Sequence, residues 1–407
     1  MADRLDRREF LRQGAIATLS LGALSLPSAP VRAAEPAPER FRTLGATGLR
    51  ISDISFGSGG TDDPDLIRYA FDRGVRSFDT AEGYPMGRGG TAERAIGEAL
   101  KGKRDQVVLT SKVVAKAGFR AERIMRRLEG SLRRLQTDHV DIYLNHAVND
   151  LDRLQNPEWF EFVERAKQQG KIRFSGMSGH AGRLLACLDV AIERELVDVI
   201  LVAYNFGEDP AFYEKLTRSF DFVANQQGLA ERIAKAHGKG IGVLTMKTLM
   251  GARLNDMRPY EREGATFSQA AFRWVLSNPD VDGLVISMDS RERIDEYLVA
   301  SGQAQRRQQD ASLLRQYLAR NGARYCRPSC SACESACPAD VPVGEVLRAR
   351  MYARDYDRLP MARATYATLG AGASACLGCS GPCLAACPHG LAVPDLTRAT
   401  HELLAGG

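Results

Sequence analysis

Eight short apolar runs between residues 51 and 287 alternate with stretches that have the spacing of amphipathic helices. Most of the runs are rich in Val, Ile and Phe and lack strict alternation, which is typical of strands buried on both faces. Eight strand–helix units in about 250 residues indicate a (β/α)8 barrel. The predicted strands are Ile51–Gly57, Val75–Thr80, Val107–Lys112, Val140–Asn145, Ile172–Met177, Val197–Ala203, Ile241–Met246 and Gly283–Ser287.

The stretches between these runs predict helices, among them Ala121–Leu135, Pro157–Gln169, Gly182–Glu193 and Ser268–Leu276. A doubly wound open sheet is the competing architecture, but its first turn carries the pattern G-x-G-x-x-G, which residues 57–60 do not fit. We therefore predict an α/β fold, a (β/α)8 TIM barrel followed by a small, mainly helical C-terminal module.

Cysteines mark that module, because eight of the nine in the 407-residue chain lie in its last fifth. They form two groups of four, each closed by a proline, which is the ending of the bacterial ferredoxin run that holds a [4Fe–4S] cluster. We predict two such clusters. The predicted ligands are Cys326, Cys330, Cys333 and Cys337 in the first quartet, and Cys376, Cys379, Cys383 and Cys387 in the second.

The spacing of both quartets departs from C-x2-C-x2-C-x3-C-P by one extra residue, in the first gap of the first and the middle gap of the second. Structural zinc, disulfides and a module without metal therefore stay open as alternatives. In two-cluster ferredoxins the fourth cysteine ligates the other cluster. That arrangement would group Cys337 with the first three cysteines of the second quartet, and Cys387 with the first three of the first.

The N-terminus resembles a Tat export signal. Twin arginines, Arg7 and Arg8, precede an apolar stretch at 15–26 that is too short to span a bilayer, and small residues follow near Ala33. The alternative is a basic start followed by a surface helix. The Tat route carries folded proteins with metal centres in place, so it favours clusters over disulfides, and it predicts a periplasmic protein of bacterial origin.

Five segments follow from these signals: a signal peptide at 1–33, a linker at 34–45, the barrel at 46–302, a helical connector at 303–322 and the two-cluster module at 323–407. Within the module, residues 343–356 and 361–369 are predicted to be helices. The formal charge of +5 is small for this length and forms no basic stripe, so we expect no nucleic-acid partner. We also expect no membrane span after signal cleavage.

Four polar residues at the ends of predicted strands make chemical sense together: Asp79, Tyr84, Lys112 and His146. Active sites of (β/α)8 barrels lie at the C-terminal ends of the strands. A lysine ammonium beside the tyrosine is expected to lower the pKa of the phenol, and the aspartate to hold the ammonium. A histidine beside the phenol can orient a carbonyl oxygen. The set predicts a general acid aimed at a carbonyl.

These residues and their surroundings resemble the aldo-keto reductase superfamily over about residues 42 to 300. The resemblance rests on Phe78–Tyr84, Thr110–Lys112, His146, Gly170–Arg173 and Asn278–Val281. The tail extends it to the subgroup with a C-terminal ferredoxin-like module and a Tat signal. The resemblance implies NADP(H)-linked interconversion of a small carbonyl or alcohol substrate, with Tyr84 as general acid, Lys112 and Asp79 tuning it, and His146 orienting the substrate.

The resemblance also implies a cofactor-binding set, although Gly179 and Ala203 stand where the family has Asn and Gln. Arg291 or Arg293 would meet a 2′-phosphate, and Glu296 would meet the adenine. The implied cofactor residues are Ser178, Asn205, Lys247, Gly251, Ser287, Arg293 and Glu296. His180 lies beside this pocket, and a substrate contact and a structural role are both open for it.

A second hypothesis makes the chain an electron relay or interaction protein, in which the barrel is an inherited scaffold and the clusters serve an electron-transfer partner protein. A third makes the tail a structural zinc clamp.

Overall fold

The computed structural model describes residues 41–85, 88–180, 183–208, 228–249, 257–262, 264–321, 326, 332–354, 359–388 and 390–406. The predicted signal peptide, Gly251 and Cys330 lie outside these residues. Residues 36–407 form one compact unit.

A closed barrel of eight parallel strands lies at the centre of this unit, in the order β10-β3-β4-β5-β6-β7-β8-β9. These are β3 (Ile54–Gly57), β4 (Ser77–Asp79), β5 (Val108–Val113), β6 (Val140–Asn145), β7 (Ile172–Gly179), β8 (Val199–Ala203), β9 (Gly242–Met246) and β10 (Gly283–Ser287). The prediction of a (β/α)8 barrel is therefore confirmed. The first predicted strand is divided, because residues 50–52 pair elsewhere.

Helices surround the barrel and cover its strands with a continuous apolar layer. They are α1 (Pro64–Asp72), α2 (Thr91–Ala99), α3 (Ala121–Leu135), α4 (Leu151–Leu154), α5 (Pro157–Gln168), α6 (Leu184–Glu193), α7 (Leu229–Gly238), α8 (Phe267–Leu276) and α9 (Arg291–Leu298). Local signals set several ends. Asp63 caps α1 ahead of a proline, and Thr266 and Gln269 form a capping box on α8. Cys187, the one cysteine outside the two quartets, is buried on α6.

An antiparallel hairpin, β1 (Phe41–Thr43) and β2 (Arg50–Ser52), lies ahead of the first barrel strand. Its Leu44, Leu49 and Ile51 are buried with inward-facing side chains of the barrel strands. Arg42 donates to the carbonyl of Leu276 at 2.9 Å. The end of the predicted linker is thus part of the barrel's core, because these apolar side chains fill its interior.

The connector is α10 (Gln308–Asn321), which packs on α8. Arg273 of α8 forms a bidentate, fully buried ion pair with Asp310, at 2.7 and 2.8 Å. Phe267 stacks on Tyr317 with ring centroids 4.1 Å apart. A buried charge pair with both hydrogen bonds made fixes one docking geometry for this helix.

The module consists of α11 (Val343–Arg354), α12 (Leu359–Ala367), a 3₁₀ turn at Ser374–Gly378, α13 (Cys383–Ala386) and α14 (Val393–Leu404). It has its own small apolar core, in which Cys333 and Cys383 are buried among residues such as Val346 and Leu391. The prediction of a mainly helical module is confirmed. Among the described residues, no helix combines the length and apolar character that crossing a membrane requires.

Candidate active site

The four predicted catalytic residues meet at the C-terminal end of the barrel. Asp79 is the last residue of β4, Lys112 lies in β5, and His146 directly follows β6. The Lys112 ammonium donates to Asp79 Oδ1 at 2.6 Å and to the Thr80 carbonyl at 2.7 Å. It lies 5.0 Å from the centroid of the Tyr84 ring. Parallel strands place consecutive strand ends at one edge, so residues far apart in sequence become neighbours.

Tyr84 and His146 face each other beside this ion pair. The Tyr84 hydroxyl lies 3.4 Å from His146 Nε2, and the two rings meet edge to face at 5.5 Å. Any carbonyl oxygen that approaches both groups would find a phenol proton and an imidazole nitrogen on the same side.

Burial controls the ionisation of both residues. It raises the pKa of Tyr84, and the negative charge of Asp79 raises it further. The predicted net lowering of this pKa is wrong, because burial and the charge of Asp79 raise it. Burial also lowers the pKa of His146 to about 3, with Lys112 as the next cause. At neutral pH the site therefore contains a protonated phenol and a neutral imidazole.

Surrounding side chains fix these two residues in place. Arg127 forms a hydrogen bond at 2.9 Å with Glu82, two residues before Tyr84. Arg153 of α4 donates to the carbonyls of His146 and Ala147, each at 2.8 Å. Two guanidinium groups from helices outside the barrel thus hold the loops that carry the phenol and the imidazole.

The predicted cofactor residues fall into two groups. Ser178, Lys247 and Ser287 lie close to the four catalytic residues: the Ser178 hydroxyl accepts from the Ala147 amide at 3.0 Å, and the charge of Lys247 contributes to the lowered pKa of His146, after burial. The Ser287 hydroxyl faces the Gly59 turn, which also lies against the Tyr84 ring.

The others already have protein partners. Asn205 accepts from the Gly207 amide at 3.0 Å, Arg293 pairs with Asp289, and Glu296 accepts from the Thr266 hydroxyl at 2.7 Å.

Buried polar atoms without a hydrogen-bond partner cluster at the same strand ends. Within the described part of the chain they include the hydroxyls of Ser58, Thr80 and Thr248, which follow β3, β4 and β9, and one oxygen of Asp79. Buried polar groups are normally satisfied, and exceptions mark sites for a ligand or water. The barrel end therefore has unused donors and acceptors where the predicted cofactor and substrate would bind.

The C-terminal module reaches this site through α11, which sequence reasoning missed. Burial, Asp79 and then Tyr352 raise the pKa of Tyr84. Burial, Lys247 and then Arg348 lower the pKa of His180, which directly follows β7. Tyr352 and Arg348 are one turn apart on the same face of α11. This face therefore lies near the barrel end. No local sequence signal predicts that two segments so far apart in the chain lie close together.

A second site lies in the module, where four cysteines line one pocket. They are Cys376, Cys379, Cys383 and Cys337, the set that exchange of the fourth ligand between quartets predicts. Burial raises the pKa of Cys383, and the three other thiols raise it further. No disulfide joins these four residues to one another.

The backbone of this pocket donates to sulfur. The Val341 amide lies 3.4 Å from Cys337 Sγ, and the Gly381 amide lies 3.4 Å from Cys379 Sγ. Gly381 has φ +79°, and a Cβ there would come within 2.6 Å of the Pro394 side chain. The extra residue in the middle gap of the quartet is thus absorbed by a glycine in a left-handed conformation, which most other residues would not adopt.

The structure describes three cysteines of the first quartet, Cys326, Cys333 and Cys337. It also describes Cys387, the last cysteine of the second quartet. Among the described residues, no three His, Cys, Asp or Glu side chains approach closely enough to hold one metal ion. The thiols of the pocket thus surround a space and do not converge on a point.

Comparison with known proteins identifies the barrel. The family model described as "Aldo/keto reductase family" matches residues 59–261. L-galactose dehydrogenase of Arabidopsis thaliana is 27% identical over 299 residues, 64% of this chain and 87% of that protein. The uncharacterised oxidoreductase YrpG of Bacillus subtilis is 29% identical over 298 residues, 64% of this chain and 90% of that protein.

Solved structures agree. A putative aldo-keto reductase of Pseudomonas aeruginosa superposes with a TM-score of 0.52 at 25% identity, covering 66% of this chain and 97% of that one. A thermostable aldo-keto reductase, Tm1743, in complex with the inhibitor epalrestat gives a TM-score of 0.53 at 27% identity, covering 68% and 99%. Together with the four residues at the strand ends, these matches show that the barrel belongs to the aldo/keto reductase superfamily and that the chain is an oxidoreductase.

Proposed function

We propose that the chain is an exported iron–sulfur aldo/keto reductase that interconverts a small carbonyl compound and its alcohol with NADP(H). The observation that carries this proposal is the grouping of Tyr84, His146, Lys112 and Asp79 at the barrel end, with the phenol and the imidazole 3.4 Å apart.

The chemistry of the site follows from its protonation states. A phenol with a raised pKa keeps its proton at neutral pH, so Tyr84 donates a proton only as negative charge develops on a carbonyl oxygen. The Lys112 ammonium, held by Asp79, stabilises the phenolate that results. Neutral His146 orients the oxygen by a hydrogen bond. In the reverse direction Tyr84 accepts the proton of the alcohol.

A nicotinamide cofactor, when bound, would supply or accept the hydride. The residues present fit it in part. Unsatisfied hydroxyls of Ser58, Thr80 and Thr248 and the nearby Lys247 offer contacts to an anionic, polar ligand. To contact the cofactor, Arg293 would have to leave Asp289, and Glu296 would have to leave the Thr266 hydroxyl.

Two [4Fe–4S] clusters, when bound, would supply one-electron transfer. Cys376, Cys379, Cys383 and Cys337 would hold one of them, and Cys326, Cys330, Cys333 and Cys387 the other. Amide donors to two of the sulfurs support this assignment, since such hydrogen bonds tune cluster sites.

Helix α11 joins the two sites. Val343, at its start, lines the cysteine pocket, and Tyr352 near its end acts on Tyr84. At a rise of about 1.5 Å per residue, these positions are about 14 Å apart along the helix axis. This short distance supports a common function of the module and the barrel. Export by the Tat route, which we also propose, rests on the twin arginines of the N-terminal sequence.

An electron relay without nicotinamide chemistry is the second candidate. It is favoured by the protein partners already held by Asn205, Arg293 and Glu296.

Titration of the protein with NADPH or NADH during thermal unfolding separates the two functions. A ligand at one hundred times its Kd stabilises the native state by about 2.7 kcal/mol. We expect the melting temperature to rise with NADPH, and no rise with either nucleotide would favour the relay.

Replacement of the phenol tests the mechanism. We expect Tyr84→Phe to lower turnover of carbonyl substrates by about 10²–10⁴-fold, because a positioned general acid contributes about that factor. Tyr143→Phe is the matched control, since it removes the same oxygen from a buried tyrosine that stacks on Trp159. Equal activity of the two variants would refute the role of Tyr84.

Iron and sulfide analysis of anaerobically purified protein, with an absorbance scan, tests the clusters, and zinc without iron would refute them.

A further inference from the structure

One charged side chain lines the cysteine pocket among its described residues, the guanidinium of Arg398 on α14. Its Nε donates to the Cys376 carbonyl at 2.9 Å, and its Nη2 donates to the Cys379 carbonyl at 2.8 Å. Both carbonyls belong to predicted cluster ligands three residues apart. The fork of one arginine therefore clamps the 3₁₀ turn from which two of the four thiols extend.

The surroundings of this cation contain few other charges. Residues 364–394, which include the whole second quartet, contain no Asp, Glu, Lys or Arg, although 26% of the chain is charged. The nearest counter-charge is Asp395, three residues earlier on the same helix, at 3.3 Å from Nη1. That carboxylate is 78% exposed and thus strongly hydrated, whereas the Arg398 side chain is only 35% exposed. Solvent screens the acid more than the base.

Four thiolates that face one pocket repel one another, and each electron added to a centre between them adds a further negative charge. A fixed cation at the wall of the pocket lowers the free energy of the reduced, more negative state. Arginine suits this position better than lysine because its planar fork reaches two carbonyls at once, while a lysine ammonium would provide the charge without the two-point clamp.

We propose that Arg398 is a positioning residue for the cluster held by Cys376, Cys379, Cys383 and Cys337, where its fork fixes the ligand turn and its charge raises the reduction potential. This inference rests on the proposed iron–sulfur function. It makes two separable claims, one about geometry and one about charge, and conservative substitution separates them.

The experiment uses the full-length protein, purified without oxygen and with its iron and sulfide content measured. Arg398→Gln removes the charge and the clamp, Arg398→Lys removes the clamp alone, and Arg354→Gln removes an exposed charge elsewhere in the module. Each protein is titrated with dithionite and followed by electron paramagnetic resonance. Iron release to a chelator is timed in parallel.

For Arg398→Gln we expect one of the two clusters to titrate at a lower potential, by a threefold to tenfold change in its redox equilibrium. For one electron this is about 30–60 mV, since tenfold corresponds to about 59 mV. Arg398→Lys should keep most of the wild-type potential but release iron from that cluster faster than the wild type. Arg354→Gln should match the wild type in both measurements.

The claim about charge would be overturned if Arg398→Gln and Arg354→Gln had equal reduction potentials. It would also be overturned if Arg398→Lys lowered the reduction potential as much as Arg398→Gln does. Wild-type iron release from Arg398→Lys would overturn the claim about the clamp. If the Arg398→Gln protein retains only half of the iron, this loss supports the claim about the clamp. The reduction potential of Arg398→Lys then tests the claim about charge. An iron-free wild-type protein would refute the proposed function itself, whereas a loaded wild type with indifferent Arg398 variants would refute only this inference.

Discussion

The barrel end and the cysteine module hold their reactive groups in opposite ways. In the barrel, each charged side chain of the candidate active site has a protein partner, as in the buried pair of Lys112 and Asp79. In the module, three thiols of the second quartet line a pocket with Cys337, and the segment that carries these three has no charged residue. The charged groups of the barrel end are thus held by ion pairs within the fold, whereas on the proposed function the pocket thiols would be held by a cluster.

This contrast predicts different responses to loss of metal, and the chain allows them to be measured separately. Both tryptophans, Trp159 and Trp274, are buried in the barrel, so tryptophan fluorescence reports on the barrel alone. Removal of the clusters by an anaerobic chelator should abolish hydrogen-exchange protection in α11 and α14, since metal-binding free energy in a small domain is largely folding free energy. The urea midpoint of the tryptophan signal should barely move.

Retained protection of α11 and α14 in the metal-free protein would show that the module folds by its apolar core alone. Simultaneous loss of the tryptophan transition would show that barrel and module are one cooperative unit. Either result would remove the contrast drawn between the two regions.

The buried ion pair of the barrel gives the next largest effect. Asp79→Leu leaves the Lys112 ammonium buried without its counter-charge, which typically costs about 3–5 kcal/mol of unfolding free energy. The double variant Asp79→Leu, Lys112→Met removes both charges and should recover most of that loss, since an apolar pair of similar volume is often neutral or stabilising. Urea unfolding followed by tryptophan fluorescence measures both. A double variant as unstable as the single one would contradict this account of the pair.

The two regions also differ in how far sequence alone could describe them. The barrel strands were predicted to within a few residues, because apolar runs and turn residues are local signals. Asp79, Lys112 and His146 were found because strand ends of a parallel barrel share one edge. The direction of the Tyr84 pKa shift was missed, since it depends on burial and on the nearby charge of Asp79, both of which are tertiary properties.

In the module, the sequence left the pairing of the cysteines open, and one of its possibilities, exchange of the fourth ligand, groups the four cysteines that line the pocket. The proximity of Tyr352 and Arg348 to the barrel end was not predictable, because it depends on how α11 packs after a long connector. The hairpin at Phe41–Ser52 was also missed, because its two strands are only three residues each: the first lies in the predicted linker, and the second overlaps the start of the first predicted barrel strand.

The neutral imidazole of His146 gives a smaller effect, which depends on pH. Its pKa is about 3 in the folded protein and about 6.5 when unfolded, so between these values the unfolded chain binds more protons. Stability therefore falls as the pH drops below about 6.5, until the folded pKa is reached. Between pH 7 and pH 5 we expect the wild type to lose about 1–2 kcal/mol more unfolding free energy than His146→Gln. Parallel losses in the two proteins would show that His146 is protonated in the folded state.

The smallest effect concerns the one place where the regions meet. Arg348 is 17% exposed, lies close enough to His180 to lower its pKa after burial and Lys247, and pairs with Glu345 at 2.9 Å. A guanidinium at the barrel end should favour carbonyl substrates that carry a carboxylate. Because Glu345 neutralises part of its charge, we expect Arg348→Met to raise the KM of anionic substrates by only about three- to tenfold, about 0.7–1.4 kcal/mol. The KM of neutral aldehydes should not change, and Arg354→Gln should affect neither class. Equal changes for both classes would show that α11 supports the fold of the site without contacting its substrates, and the barrel and the module would then be joined only mechanically.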